Sequence, residues 1–156
     1  MTNDTRPRSS GCGKTRCQQC VHINNTNTFS NRDGSRTFEI RKGPHTCDTS
    51  GVVYLLECKT CGIQYVGSAQ TAFRLRFNNY KSHHRQYVRR RAQGTLHTGN
   101  PVPQHFLHAH FAQDDHNGID DFTFTIIDSN MRDILKSEIF WQYKLDVHTP
   151  NGLNIR

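Results

Sequence analysis

Gly51-Val52-Val53-Tyr54 and Tyr65-Val66-Gly67, with Cys58-Lys59-Thr60-Cys61-Gly62 between them, form the stretch whose reading decides the fold. The runs Val52 to Glu57 and Ile63 to Gly67 are rich in Val, Leu, Ile and Tyr, and the Cys-x-x-Cys-Gly turn joins them as a hairpin. A simple two-residue turn sets an antiparallel register with Tyr54 opposite Tyr65 and Cys58 opposite Cys61. Two phenols then share one face of the sheet and two thiols share its end. A bulge would shift this pairing.

Outward from the hairpin, the pattern predicts an α+β domain: a small three-stranded antiparallel sheet flanked by helices, with an N-terminal zinc-binding extension. Residues 1–10 are polar and predict a disordered arm. Residues 11–48 form a cysteine-rich zinc-binding extension among Gly, Asn, Thr and Ser, with a brief strand-like Thr37 to Ile40. Residues 49–156 form the main domain. After the hairpin come a helix over Thr71 to Tyr80, a basic helical stretch to about Gln93, a Gly/Thr/Pro loop to Pro103 and a strand over Phe122 to Asp128. Ser129 or Asn130 is placed to cap a closing helix from Met131 to Leu145, and Pro150-Asn151-Gly152 turns the chain into its tail.

With 156 residues, 33% of them apolar, and six cysteines, the chain has room for one compact domain whose modest core calls for metal cross-links. No apolar run is long enough for a membrane span or a secretory signal, which implies an intracellular, reducing compartment and favours zinc over disulfides. The net charge is +7, and its layout says more than its size: residues 58–113 hold no Asp or Glu. That segment carries Arg74, Lys81, Arg85 and Arg89-Arg90-Arg91, candidate nucleic-acid contacts on a surface facing a polyanion. A solvated basic helix is the plainer alternative.

Two charges interrupt apolar stripes. Arg76 falls within Phe73, Phe77 and Tyr80, and Glu138 falls within Ile134, Leu135, Trp141 and Leu145. A charge turned inward needs a partner, a metal or a wet cleft. Either Arg76 and Glu138 pair with each other or snorkel at the stripe's edge, or they converge with Tyr54 and Tyr65 over one sheet face. The second set suits phosphodiester chemistry: a carboxylate for Mg²⁺, a guanidinium for charge growing on phosphate and a phenol as base, if cations lower its pKa.

Cys58 and Cys61 form a zinc knuckle that needs two more ligands. The strand from Val52 to Glu57 spans about 20 Å and puts Cys47 at the opposite end of the sheet. His105 and His110 have near-helical spacing for the remaining half-site, with His108 and His116 as rivals. Cys12, Cys17, Cys20 and Cys47 then make a second structural site, with His22 as a substitute ligand. A two-knuckle ribbon of Cys17, Cys20, Cys58 and Cys61 is the alternative.

With Tyr54 and Tyr65 eleven positions apart, the chain resembles the GIY-YIG endonuclease superfamily over Gly51 to Asn154. The resemblance implies catalytic roles for Tyr54, Tyr65, Arg76, for Tyr80 at the His-or-Tyr position one turn on, for the metal-binding Glu138 and for Asn154. Either Tyr54 or Tyr65 is the base. Val-Val-Tyr replaces Gly-Ile-Tyr, and Ser68 stands where some relatives have a lysine. Pro101-Val102-Pro103-Gln104-His105-Phe106, Asp120-Asp121-Phe122, Trp141-Gln142-Tyr143-Lys144-Leu145, Pro150-Asn151-Gly152-Leu153-Asn154 and the cysteines look like the endonuclease domain of Penelope-like retroelements.

That likeness implies a nuclear DNA endonuclease with catalytic Mg²⁺ (or Mn²⁺) and two structural Zn²⁺. It would leave a 3′-hydroxyl on duplex DNA to prime reverse transcription, with a reverse transcriptase domain of the same polyprotein as partner and no membrane association. A zinc-dependent module that holds nucleic acid without cutting it is the rival, and a zinc-stabilised protein-interaction domain is another.

Overall fold

The computed structural model describes residues 6–14, 17, 20–92, 102, 105 and 121–155, with the side chains of 84, 87, 88 and 90–92 outside the description. The elements are β1 (Thr28–Ser30), β2 (Thr37–Glu39), β3 (Val52–Cys58), β4 (Gln64–Ala69), α1 (Phe73–Ala92), β5 (Phe122–Ser129) and α2 (Ile134–Leu145). The expected three-stranded antiparallel sheet is present in the order β4-β3-β5, beside a two-stranded ribbon β1-β2. Thr28-Phe29-Ser30 gave no strand signal of its own. It is a strand because it pairs with Thr37–Glu39.

Central β3 is apolar without alternation because both of its faces are covered. Val52, Tyr54, Leu56 and Cys58 join Phe73, Phe77 and Tyr80 of α1 and Phe122, Phe124 and Ile126 of β5 in one core. Val53 and Leu55 face the other way, into a core with Val66, Ile127, Phe29 and the α2 residues Ile134, Trp141 and Leu145. Each large side chain so buried contributes about 1.5–3 kcal/mol. The sheet is thus held between α1 on one side and α2 with the ribbon on the other.

The hairpin register differs from the simple one. Tyr54 pairs with Gly67 and Leu56 with Tyr65. The knuckle is the cause: Gly62 takes a left-handed φ of 79°, and its N–H donates to the Cys58 carbonyl at 2.7 Å. Lys59 to Gly62 therefore loop out as a four-residue turn, and the next cross-strand bond runs from Cys58 N–H to the Ile63 carbonyl at 3.0 Å. A slip of two leaves every side chain on its original face. Both phenols still share the α1 face, as diagonal neighbours. The bulge lies between β3 and β5 instead, at Val53/Tyr54.

Helix α1 merges the two helical stretches read separately. Helix α2 starts later than expected: Asp133 is its cap, with Oδ1 accepting from Lys136 N–H at 3.2 Å, while Asn130 Oδ1 accepts from Asp133 N–H at 3.0 Å. Leu135 points outward, against its assignment to the inner stripe, and lies 61% exposed. Its neighbour Ile134 takes the inner position with Trp141 and Leu145, and adjacent helix positions cannot share so narrow a stripe.

Contacts begin earlier than the polar arm expected over 1–10. Ser9 is buried; its N–H donates to Thr26 O at 2.8 Å and its Oγ accepts from Ile126 N–H at 3.0 Å. Asn24 N–H donates to Phe124 O at 2.8 Å and Arg41 N–H to Ile127 O at 2.9 Å, so the extension closes the outer edge of β5. At the opposite edge, Leu153 N–H donates to Gln64 O at 2.8 Å. Among the described residues no helix is long and apolar enough to cross a membrane.

Candidate functional site

The phenols meet because residue 67 has no side chain. A Cβ there would lie 2.5 Å from Tyr54 Oη and 2.9 Å from Tyr65 Cε1, so Tyr54 lies across β4 at a position only glycine leaves open. Tyr54 Oη and Tyr80 Oη are hydrogen-bonded at 2.7 Å, and Tyr65 lies close enough to act electrostatically on both. Tyr80 comes from α1 one turn beyond Arg76, on the face that Phe73 and Phe77 bury. Tyr54 and Tyr80 are buried and Tyr65 is half-buried, which makes Tyr65 the solvent-facing member of a three-phenol cluster.

Arg76 acts electrostatically on Tyr54, Tyr65, Tyr80 and Glu138, so α1 brings the guanidinium to the same place. Glu138 arrives from the other side of the sheet. Its carboxyl is pulled down by the hydroxyl of nearby Ser68, which pairs with Val53 and so lies on the α2 face of edge strand β4. Carboxylate and phenols therefore meet around the edge of β4, not over one face as expected. Position 68, where some relatives have a lysine, supplies a hydroxyl beside the glutamate; a serine has no periodic signal that would reveal this.

Burial dominates the electrostatics. It pushes the Tyr54 hydroxyl well above the usual phenol range; Tyr65 and Glu138 add to the rise, while the Tyr80 hydrogen bond and Arg76 oppose it. Tyr65 is raised by burial first and then by Glu138, and again Tyr80 and Arg76 pull down. Burial also raises Glu138, against the Ser68 hydroxyl and Arg76. A site in which every acid clings to its proton, while one guanidinium opposes the rise, favours added positive charge. Glu138 is the carboxylate that acts on Tyr54 and Tyr65. One carboxylate at a half-open cleft fits a divalent cation that keeps most of its waters.

Asn154 stands apart from the phenols. It is buried, with Oδ1 accepting from Val66 N–H at 2.8 Å and Nδ2 donating to Val66 O at 2.9 Å. Its amide serves as a missing strand for the outer edge of β4. Arg74, Arg85 and Arg89 are exposed along α1, and Lys81 Nζ lies 5.6 Å from the Phe77 ring centroid. The side chains of Arg90 and Arg91 lie outside the described residues.

Among the described residues two groups of ligand atoms can hold a metal, each with all members within 4.8 Å of one another: Cys12, Cys17, Cys20 and Cys47, and Cys58, Cys61 and His105. In the first, Cys12 Sγ and Cys20 Sγ are 3.5 Å apart and Cys17 Sγ and Cys47 Sγ 3.3 Å. Thiolates bound at about 2.3 Å to tetrahedral zinc stand about 3.8 Å apart, so the donor set fits Zn²⁺. The two-knuckle ribbon is overturned, since Cys17 and Cys20 face Cys12 and Cys47. Lys14 N–H, then the neighbouring thiols, hold Cys12 at about 6, towards the thiolate a metal needs. In the second group Cys61 Sγ lies 3.3 Å from His105 Nε2. The proposed His110 and its rivals His108 and His116 lie outside the described residues; His22 instead lies against Phe77, ring centroids 4.8 Å apart.

No curated protein and no solved structure matches the chain. The family model of the GIY-YIG catalytic domain matches residues 50–146, which takes in both tyrosine strands, α1 with Arg76 and Tyr80, and α2 with Glu138. With more than half its length inside that match, and with the phenols, guanidinium and carboxylate meeting at one strand edge, the chain belongs to the GIY-YIG family.

Proposed function

We propose that the chain is a divalent-metal-dependent DNA endonuclease that nicks duplex DNA and leaves a 3′-hydroxyl, with Mg²⁺ (or Mn²⁺) held by Glu138. Membership of a nuclease family supports phosphodiester hydrolysis on DNA. The observation that carries the reading is the meeting of Tyr54, Tyr65, Tyr80, Arg76 and Glu138 around β4. A cation bound at Glu138 supplies Lewis-acid polarisation of a phosphate oxygen.

The chain's own residues do the rest. Tyr65, the solvent-facing phenol, acts in its phenolate form, its own proton first lost to solvent, and takes the proton of the attacking water, with Tyr80 and Tyr54 packed behind it. Water oxygen bonds to phosphorus as the bond to the 3′-oxygen breaks. That oxygen leaves as an alkoxide that takes a proton from solvent water and becomes the 3′-hydroxyl, and the phosphate stays on the 5′ side. Arg76 neutralises charge on the phosphate oxygens as it grows. Arg74, Lys81, Arg85 and Arg89, which recur along one side of α1, contact the DNA backbone, with Arg90 and Arg91 as further contacts, giving salt-sensitive affinity.

Asn154 is assigned to the catalytic set as the support of β4. Zinc fills both ligand groups, with His110 completing the second. The likeness to Penelope-like endonucleases supports a nuclear role in retroelement insertion, with the new 3′-hydroxyl priming a reverse transcriptase domain.

Supercoiled-plasmid nicking with Mg²⁺ tests the core of this reading. The parent should convert plasmid to open circles bearing 3′-hydroxyl ends, and Glu138→Ala should lose cleavage while keeping DNA binding. A parent that binds without nicking would overturn it in favour of a non-catalytic binding module.

A further inference from the structure

The cysteine cluster of the extension grips the catalytic helix at two points. The first N–H groups of an α-helix have no partner within the helix. In α1, Arg74 N–H donates to the carbonyl of Cys47 at 2.8 Å, and Phe73 N–H donates to that of Thr49 at 3.0 Å. A residue of the metal-binding group thus caps the helix through its own main chain. Asp48 reinforces the link by pairing with Arg74 and, at 2.9 Å, with Lys14 in the loop between Cys12 and Cys17.

The second grip comes from Cys20. It opens the 3-10 turn that ends at His22, and the His22 ring lies on Phe77. The next residue, Ile23, bridges to Phe124 and shares a core with Tyr54, Phe73, Phe77 and Tyr80. Arg76 therefore sits between the two gripped positions, Arg74 and Phe77, and Tyr80 follows one turn on. None of the four cysteines is in the catalytic set. Among the described residues the segments that carry them hold only short regular pieces, so bonds to a metal would add to the few main-chain contacts that fix their shape.

We propose that zinc in the Cys12, Cys17, Cys20, Cys47 group is a positioning element for the catalytic helix. Its occupancy sets where Arg76 and Tyr80 stand, and through them the turnover rate. The inference rests on the nuclease reading for its effect on rate, but not for its effect on the phenols. A displacement of about 1 Å in an active-site group can cost on the order of 100-fold in rate. DNA affinity, carried by exposed cations along α1, should change little.

The test uses the full chain and three variants: Cys12→Ser, Cys12→His and His22→Ala. Bound zinc, nicking kinetics and spectrophotometric titration of the tyrosines are measured on each. Cys12→Ser should hold less zinc, lose on the order of 10- to 100-fold in kcat with KM for DNA nearly unchanged, and titrate its buried phenols closer to ordinary tyrosine. Cys12→His restores a zinc ligand and should restore all three readouts. His22→Ala keeps every cysteine and its zinc, yet should lose kcat several-fold because the grip on Phe77 is gone.

Loss of zinc with unchanged kcat and unchanged phenol titration overturns the proposal. So does His22→Ala that matches the parent in both, which decides the matter if Cys12→Ser does not fold. If the parent itself fails to nick, the nuclease reading falls. The phenol titration of Cys12→Ser or His22→Ala still decides whether the cluster positions the helix.

Discussion

Replacing Gly67 with alanine adds one methyl group at the point where the two tyrosine strands cross. The new Cβ would lie 2.5 Å from Tyr54 Oη, 2.7 Å from Tyr54 Cζ and 2.9 Å from Tyr65 Cε1, all inside any tolerable contact. Tyr54 is ringed by Phe73, Phe124 and Tyr80 at centroid distances of 5.2, 6.0 and 6.2 Å, so it has no free volume to retreat into. Relief must come from the phenol swinging off β4, which breaks its 2.7 Å bond to Tyr80. Overpacking costs about 1–3 kcal/mol and stranding a buried hydroxyl about 1–3 kcal/mol, so Gly67→Ala should lose about 2–6 kcal/mol of stability. Urea denaturation reads that loss directly. Nicking, assayed at a temperature where both proteins stay folded, should fall on the order of 100-fold because the phenol cluster is displaced. Unchanged stability with unchanged cleavage would show that Tyr54 does not lie across Gly67, and the account of the site would fail with it.

Three further predictions follow from the same geometry. Asn154→Ala leaves the buried N–H of Val66 unpaired and its C=O with only the long 3.5 Å bond from Gln142 Nε2, and should cost about 1–3 kcal/mol in urea denaturation; a variant of parental stability that has lost only cleavage would place Asn154 at the reacting phosphate instead. For pH, Tyr65 holds its proton above the ordinary phenol range, so its phenolate fraction and the nicking rate should climb as pH rises through neutrality, and Tyr65→Phe should abolish the climb. The raised Tyr54 and Tyr80 also make the folded state bind protons more tightly than the unfolded chain. Their stabilisation is intact below about pH 10, the phenol value of the unfolded chain, and is lost as pH rises beyond it; denaturation midpoints that stay level from neutral to strongly alkaline pH would contradict this.

Side-chain chemistry made much of this molecule legible in its sequence. The β-branched and aromatic runs around Tyr54 and Tyr65 mark the two strands, Phe73, Phe77 and Tyr80 mark the buried face of α1, and Arg76 and Glu138 stand out because they break apolar stripes. What escaped was set by the main chain or by small groups. The register depends on how many residues the Cys58–Cys61 knuckle loops out, which spacing does not reveal. Leu135 is deceptive because α2 carries a second apolar row, Leu135, Ile139 and Tyr143, exposed on its outer side. Ser68 and Ser9 act through single hydroxyls, and Asn24 and Arg41 through backbone N–H groups; none of these leaves a pattern to read.

The sheet's two edges explain why the family match and the folded unit need not share limits. A three-stranded sheet exposes a row of unpaired main-chain groups on each outer strand. Here β5 is closed by Ser9, Asn24 and Arg41, all N-terminal to the matched residues 50–146. β4 is closed by Leu153 and Asn154, which lie C-terminal to them. β4 is also the strand around whose edge Glu138 meets the phenols. Its alignment therefore governs the chemistry as well as the fold. Residues outside the catalytic match hold both edges of the sheet on which Tyr54, Tyr65 and Ser68 are placed, so the tail and the extension act on the site through the backbone of the strands they close.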